Sequence, residues 1–283
     1  MKRKTRASSD ETTEKKSKAT SPLAQEVLKC YGVLAAVKPI PRSLLIRFLM
    51  HSGAGEQEAE STLKQVDEKS DEVLPSDDET VNNIVYALID EYEKTTAERA
   101  TWLPYLDCLL PKVTNGTRAS VLYMKGELTK DQVEAKRLFE EALPIFESTS
   151  GRRSISVSRT LHSIADLCVN RNEAKFLLRR ALNIVGNENN VEVLPILQSL
   201  ANIAETPKEK LTYLEDMRSV SVSRLGYTHP ETGQVMLQLA NQHEEMGNTQ
   251  EAIAHYGHAK RSLRDETIQA NIERLEKPTC IIH

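Results

Sequence analysis

Glycine, proline and aromatic residues are scarce in this chain of 283 residues, which has 11 glycines, 11 prolines and 5% aromatic residues. Because glycine and proline together usually make up about 12% of a protein, their shortage indicates few tight turns and long helices. No apolar run approaches the roughly 20 residues of a membrane-spanning helix, and the basic N-terminus lacks the apolar segment of a secretory signal. These absences exclude the collagen-like, secreted and integral membrane classes.

Catalytic and redox motifs are also missing. The four cysteines, Cys30, Cys108, Cys168 and Cys280, are far apart and form no C-x-x-C pair, which is typical of a reducing compartment and predicts a cytoplasmic protein without disulfides. The chain contains no phosphate-binding glycine loop, no nucleophile elbow and no zinc-protease motif. We therefore predict that it is not an enzyme, and we expect no catalytic residues, no cofactor and no small-molecule substrate.

The net charge of −4 is unevenly spread, with +4 on residues 1–21 and −8 on the remainder. The low aliphatic content of residues 1–21 predicts a disordered basic tail. Its clusters at Lys2-Arg3 and Lys15–Lys18 have the spacing of a bipartite nuclear import signal, so a nuclear location is the alternative to the cytoplasm, and a tail that only aids solubility is the other interpretation. The acidic remainder is a poor partner for a phosphate backbone, so nucleic-acid binding is not expected.

The pattern over residues 22–95 predicts a winged-helix-like unit. Apolar residues at helical spacing predict two helices within residues 22–50 and a weaker one over 56–66. Val73-Leu74, a turn-forming Pro-Ser-Asp-Asp segment and Val81 predict a short β-hairpin, and a further helix opens at Ile84.

Two segments of this unit, Leu28–Pro41 and Val81–Ile89, resemble the winged helix of STAND-type NTPases, the NB-ARC and NACHT relatives. In that family the winged helix lies between a nucleotide domain and tetratricopeptide repeats. The chain departs from the family at Asn82-Asn83, where a His-Arg pair is common. The resemblance implies an alternative function as a regulatory C-terminal fragment of a STAND-type switch that lacks its nucleotide domain.

A winged helix can also bind nucleic acid, which gives a third hypothesis. Its recognition helix should be basic, whereas Glu56, Glu58 and Glu60 make the corresponding segment acidic. This hypothesis therefore ranks below the other two.

Residues 117–272 carry an internal repeat whose signature is a small residue, a bulky residue and a second small residue. Copies lie at Ala135–Ala142, Ala174–Ala181, Lys210–Met217 (degenerate) and Ala252–Ala259, at steps of 39, 36 and 42 residues. Such spacing predicts an array of about four helical hairpins. Ala165 and Ala174 are nine residues apart, as are Ala201 and Lys210, whereas Ala240 and Ala252 are twelve apart. This spacing predicts shortened turns in the second and third hairpins.

The last hairpin, from Leu239 to Ala259, resembles a tetratricopeptide repeat, and Leu225–Thr232 resembles the repeat opening of kinesin light chains and their relatives. The predicted fold class is mainly α, a tetratricopeptide-like helical-hairpin solenoid preceded by a winged-helix-like unit. The resemblance implies a non-catalytic scaffold or adaptor that binds a partner protein or peptide in the concave groove of its repeats.

By analogy with that family, residues three before and one after the small residue of each first helix face the groove. The predicted groove residues are Arg159, His162, Asp166, Gln198, Asn202, Gln234, Asn241 and Glu244. Amide side chains can pair with an extended peptide backbone, and nearby acidic residues favour a neutral-to-basic peptide. The alternative is that these are ordinary solvated helix positions. A clamp for a C-terminal carboxylate is not expected, because no lysine or arginine stands at His162, Gln198 or Leu237.

Two further motifs could carry a metal or a lipid. His243, His255 and His258 could converge on zinc, but the preferred interpretation places His243 in the core and the other two in solvent, so no metal site is predicted. The last four residues, Cys280–His283, fit the C-a-a-X pattern. Cys280 is thus a lipidation candidate, and we expect membrane association only if it is prenylated.

The boundaries complete the prediction. They are a disordered basic tail (1–21), a winged-helix-like unit (22–95), a linking helix (96–116), tetratricopeptide-like repeats (117–272) and a C-terminal tail (273–283).

Overall fold

The structure, a computed structural model, describes residues 21–34, 36–37, 40–66, 77–94, 99–186 and 192–277. The chain divides into two compact units after residue 97. Within the described ranges the regular structure is entirely helical, which confirms the predicted mainly α fold class. None of these helices has both the length and the apolar character needed to cross a membrane. Cys280 and all but the last residue of the predicted basic tail lie outside the described residues.

The described residues of the first unit form four helices. They are α1 (Pro22–Val33), α2 (Arg42–His51), α3 (Glu56–Gln65) and α4 (Asp78–Lys94). The side chain of Ser21 accepts a hydrogen bond from the backbone N–H of Ala24 and so caps α1, which then begins with a proline. Phe48, Ile84 and Leu88 are fully buried and give the unit its own core.

The predicted hairpin of this unit is wrong where the structure describes it. Residues 67–76 lie outside the described residues, but Val81 belongs to the first turn of α4 and not to a strand. Oδ1 of Asp77 accepts a hydrogen bond of 2.8 Å from the backbone N–H of Thr80. This contact starts the helix before Val81, because it pairs a donor that would otherwise have no partner in the first turn.

The second unit is an array of paired helices. It opens with a 3-10 turn (Arg99–Trp102) and α5 (Leu103–Leu109) inside the predicted linking segment. Four hairpins and a last helix follow: α6 (Asn115–Leu128) with α7 (Gln132–Thr149), α8 (Ile155–Asp166) with α9 (Arg171–Val185), α10 (Val193–Asn202) with α11 (Pro207–Leu225), α12 (Pro230–Glu245) with α13 (Thr249–Leu263), and α14 (Ile268–Glu276). Side chains of Asp131, Asn170 and Thr206 cap α7, α9 and α11.

The repeated small residues lie where paired helices meet. Both alanines of the first, second and fourth copies of the signature are at most 4% exposed. One continuous hydrophobic core runs from Ala119 on α6 to Ile268 on α14. Each hairpin therefore buries its apolar face against its neighbours, as expected for a helical repeat array.

The turns of the second and third hairpins are not shortened, contrary to the prediction. They comprise residues 167–170 and 203–206, whereas the turn of the fourth hairpin comprises residues 246–248. The difference lies in the first helix, because α8 ends at Asp166, directly after Ala165, while α12 runs on to Glu245. Gly247, with φ of 78°, adopts the left-handed conformation after α12 and ends this longer helix.

Two helical glycines offer a matched test of the packing. A Cβ at Gly126 would lie 2.6 Å from the ring of Phe139, whereas a Cβ at Gly257 would meet no atom within 4 Å. Alanine favours a helix over glycine by about 1 kcal/mol at either position. We expect Gly257→Ala to stabilise the chain. The free energy of unfolding of Gly126→Ala should be about 1–3 kcal/mol lower than that of Gly257→Ala, because the added methyl group overpacks the crossing of α6 and α7.

Urea unfolding followed by circular dichroism measures both free energies. A Gly126→Ala variant as stable as Gly257→Ala would show that the two helices do not approach as closely as described.

Candidate functional site

The polar side chains of the first helices form a repeated pattern around one small residue per helix. These small residues are Gly126 on α6, Ala165 on α8, Ala201 on α10 and Ala240 on α12, and all are buried. The residue three positions before the small residue pairs with the residue one position after it, and the pair contacts the next first helix. We call this set the polar ladder; its members are Tyr123, Glu127, Ser163, His162, Asp166, Ser199, Gln198, Asn202 and Gln238.

The first rung joins α6 to α8. The hydroxyl of Tyr123 donates to Oε1 of Glu127 at 3.1 Å and lies 3.3 Å from Oγ of Ser163. Burial and the neighbouring Glu127 carboxylate both raise the pKa of Tyr123 above its usual range, so the phenol remains protonated and able to donate.

The second rung joins α8 to α10. The hydroxyl of Ser199 donates to Oδ1 of Asp166 at 2.8 Å, and Nε2 of His162 lies 3.0 Å from Oγ of Ser199. Because the serine proton is used on Asp166, His162 must donate through Nε2–H. Nε2 is also 3.4 Å from Oδ2 of the same aspartate. The rung therefore fixes the ring tautomer and the rotamers of all three side chains.

The third rung joins α10 to α12 through amides. Nε2 of Gln238 donates to Oε1 of Gln198 at 2.8 Å, and Nε2 of Gln198 donates to Oδ1 of Asn202 at 3.0 Å. The pattern stops on α12, where Leu237 stands three residues before the small residue in place of a polar side chain.

The remaining predicted groove residues lie beside the ladder. Arg159 is exposed and forms an ion pair with Glu192 at 2.8 Å, and Gln234 is exposed on α12. Asn241 and Glu244 both face the hydroxyl of Tyr256, whose oxygen lies 2.6 Å from Oδ1 of Asn241 and 2.8 Å from Oε2 of Glu244. Their oxygens are thus engaged within the last hairpin.

A second ion pair fixes Glu244, since Arg274 on α14 lies 2.7 Å from its Oε1. Burial on its own would raise the pKa of Glu244, but the hydrogen bonds from Arg274 and Tyr256 lower it. Burial and Glu244 raise the pKa of Tyr256 to about 12.

Sequence reasoning missed the residues two before each small residue, namely Ser163, Ser199 and Gln238. All three are polar and half-buried. Their common offset was available in the sequence, but their contact with the preceding helix follows only from the packing. The first-hairpin pair, Tyr123 and Glu127, was also missed because Gly126 takes the place of the alanine found in the other hairpins.

The chain is similar to known proteins in structure. No protein-family model and no curated protein matches the chain. BtubC (BKLC) from P. vanneervenii is 15% identical, with a TM-score of 0.54 over 84% of this chain and 94% of that chain. Two crystal structures of a P. anserina protein described as a putative kinesin light chain with nearly identical TPR-like repeats, one of them a point variant, are each 18% identical with a TM-score of 0.50. They cover 66% of this chain and 93% and 94% of their own.

The second unit has the TPR-like fold. The predicted tetratricopeptide-like repeats are therefore confirmed as a fold. At these identities the likeness shows the fold alone, and the winged-helix part of the predicted resemblance stays a prediction.

The histidines of the last TPR-like hairpin differ from the prediction in part. His243 is buried, as predicted. His255 is half-buried and not fully solvated, and its ring is stacked nearly parallel to that of His243 with centroids 5.3 Å apart. Burial and the neighbouring His243 lower the pKa of His255. His258 instead lies near Arg261 and the ring of Tyr227.

The second rung can be tested by comparing two serines. Ser199→Ala removes the hydroxyl that bridges His162 and Asp166, whereas Ser219→Ala alters an exposed serine on α11. Because both changes gain the same helix propensity, we expect Ser199→Ala to be less stable than Ser219→Ala by about 0.5–1.5 kcal/mol.

Chemical denaturation of the two variants checks this difference. Equal stabilities would mean that the bridge contributes nothing to the association of α8 with α10.

Proposed function

We propose that the chain is a non-catalytic protein-interaction scaffold that binds an extended peptide segment along the polar ladder. The observation that carries the proposal is the ladder itself, three consecutive rungs that repeat the same offsets around a small residue. A surface with one recurring set of donors and acceptors suits a ligand that is itself periodic. An extended peptide backbone is such a ligand.

The ladder also suits binding energetically. Free glutamine, histidine and aspartate side chains lose rotamer entropy when a partner immobilises them, and this loss weakens affinity. Here the hydrogen bonds between helices already hold Gln198, His162 and Asp166 in place. A peptide would therefore meet a surface that is largely ordered in advance.

The exposed edge of the ladder indicates the chemistry of the peptide. Residues one after each small residue are exposed, and they change from acidic on α6 and α8 to amide on α10 and α12, as Glu127, Asp166, Asn202 and Asn241. We infer a peptide with basic residues opposite α6 and α8 and neutral residues opposite α10 and α12.

The spacing sets a period for the peptide. Packed helices lie about 10 Å apart, and an extended chain advances about 3.3 Å per residue. One rung therefore corresponds to about three peptide residues. In an extended chain with three residues per turn, as in the polyproline II conformation, the side chains that matter for binding should recur at that interval.

The alternatives have less support. Glu56 and Glu58 lie exposed in the first turn of α3, which disfavours a phosphate backbone at the helix where a recognition helix would be expected. The STAND-type alternative depends on a winged helix, and Val81, its predicted returning strand, is helical.

The test uses peptides selected on the full chain from a displayed random library. We expect enrichment of extended sequences with basic residues at one end. Asn202→Lys places a long cation on the ladder, whereas the control Ser219→Lys adds the same charge at an exposed site on α11. Fluorescence anisotropy should show that Asn202→Lys binds the selected peptide at least about tenfold more weakly, the loss of roughly one good contact.

An alanine scan of the selected peptide should show losses at about every third residue. The proposal fails if the library yields no binder, or if the two lysine variants weaken binding equally.

A further inference from the structure

Three ligand-type side chains converge between the third and fourth hairpins. They are Glu215 on α11, His243 on α12 and His255 on α13, and one ligand atom from each lies within 4.8 Å of the other two. Oε1 of Glu215 is 4.0 Å from Nε2 of His243. The residues are 28 and 12 positions apart in the chain, so only the packing of the hairpins brings them together.

The two imidazole rings are close enough to share one ion, but they are stacked. Their planes differ by 11° and their centroids are 5.3 Å apart. Two imidazoles on one tetrahedral ion, with bonds of about 2.1 Å, also place their centroids about 5 Å apart. The rings would have to rotate to aim one nitrogen each at the same point, and the ligand atoms, now within 4.8 Å of one another, would have to approach to about 3.4 Å.

Neighbouring side chains contact two of the three ligands, His243 and Glu215, on the sides that point away from the site. The side-chain amide of Asn248 lies 3.3 Å from Nδ1 of His243, the nitrogen that points away from Glu215. With its oxygen turned to that ring, Asn248 would accept from Nδ1–H and leave the lone pair of Nε2 for a metal. Arg218 donates to Oε2 of Glu215 at 2.7 Å and so leaves Oε1 towards the histidines.

His255 supplies an independent indication. Its Nδ1 is buried and has no hydrogen-bond partner among the described residues. Buried polar atoms are normally paired, and an exception requires an explanation. A cation beside this ring would provide the missing partner.

We propose that Glu215, His243 and His255 bind a zinc-like divalent transition metal ion. Two imidazoles and one carboxylate are a ligand set that suits zinc, with water or another ligand in the fourth position. The positive charge of Arg218 acts on His255 and opposes the ion, whereas the Glu215 carboxylate, to which Arg218 donates, favours it. The ion ties α11 to both helices of the last hairpin, and it would thereby fix the end of the polar ladder.

The test titrates zinc into the full chain, without an affinity tag, by isothermal calorimetry. We expect one equivalent to bind. His255→Gln and Glu215→Gln should each weaken zinc binding at least about a hundredfold, and Asn248→Ala about ten- to a hundredfold as a change behind a ligand. The control is His258→Gln, a change one helical turn away on the same face of α13, which should bind as the parent does.

Cobalt gives a second readout that does not depend on any variant. Cobalt bound to the parent chain should show the intense visible absorption of a tetrahedral site without a thiolate charge-transfer band. Circular dichroism of each variant verifies that it is folded. The proposal is overturned if the parent binds neither metal, if His255→Gln binds zinc as tightly as the parent, if His258→Gln loses zinc equally, or if a thiolate band appears.

Discussion

The close approach of paired helices at one small residue is the constraint on which the second unit depends. Each first helix carries one such buried residue, namely Gly126, Ala165, Ala201 or Ala240. Most of the second helices also carry buried alanines. A larger side chain at such a position would push the helices apart and open cavities, and cavities are costly in a close-packed interior. The position of this residue therefore determines which face of the helix every other residue occupies.

The polar ladder follows from the position of the small residue at which the paired helices cross. Once the crossing residue is fixed, the residues three before and one after it share a face, because they are four positions apart and thus about one helical turn from each other. Stacking the next hairpin brings its residue at offset minus two against this pair. The packing of small residues in the core thus determines where the polar side chains lie on the opposite face.

Much of this could be predicted from the sequence, since the repeat and its small residues are local patterns. The shared face of His162 with Asp166 and of Gln198 with Asn202 follows from helix periodicity, because the members of each pair are four positions apart. Their role in a groove stays a prediction. Contacts between helices could not be predicted in this way. Ser199 and Gln238 belong to the ladder only because the stacking of hairpins brings them against the preceding first helix. Asn241 instead contacts the hydroxyl of Tyr256 within the last hairpin.

Two errors have local physical causes. A strand was predicted at Val81 because this residue follows a turn-forming Pro-Ser-Asp-Asp segment, but the capping contact of Asp77 starts α4 before that residue. Shortened turns were inferred from residue spacing, yet spacing alone cannot separate a short turn from a short helix. The capping residues Asn170 and Thr206 determine where the second helices begin and hence how much of the spacing remains for the first.

We expect the partner to bind the face of the first helices and not that of the second helices. A crystal structure of the chain with a bound peptide tests this most directly. The expected result is an extended backbone within hydrogen-bonding distance of Asp166 and Asn202, advancing one rung for about every three residues. A peptide lying against α9 and α11 instead, or folded into a compact shape away from these side chains, would contradict it.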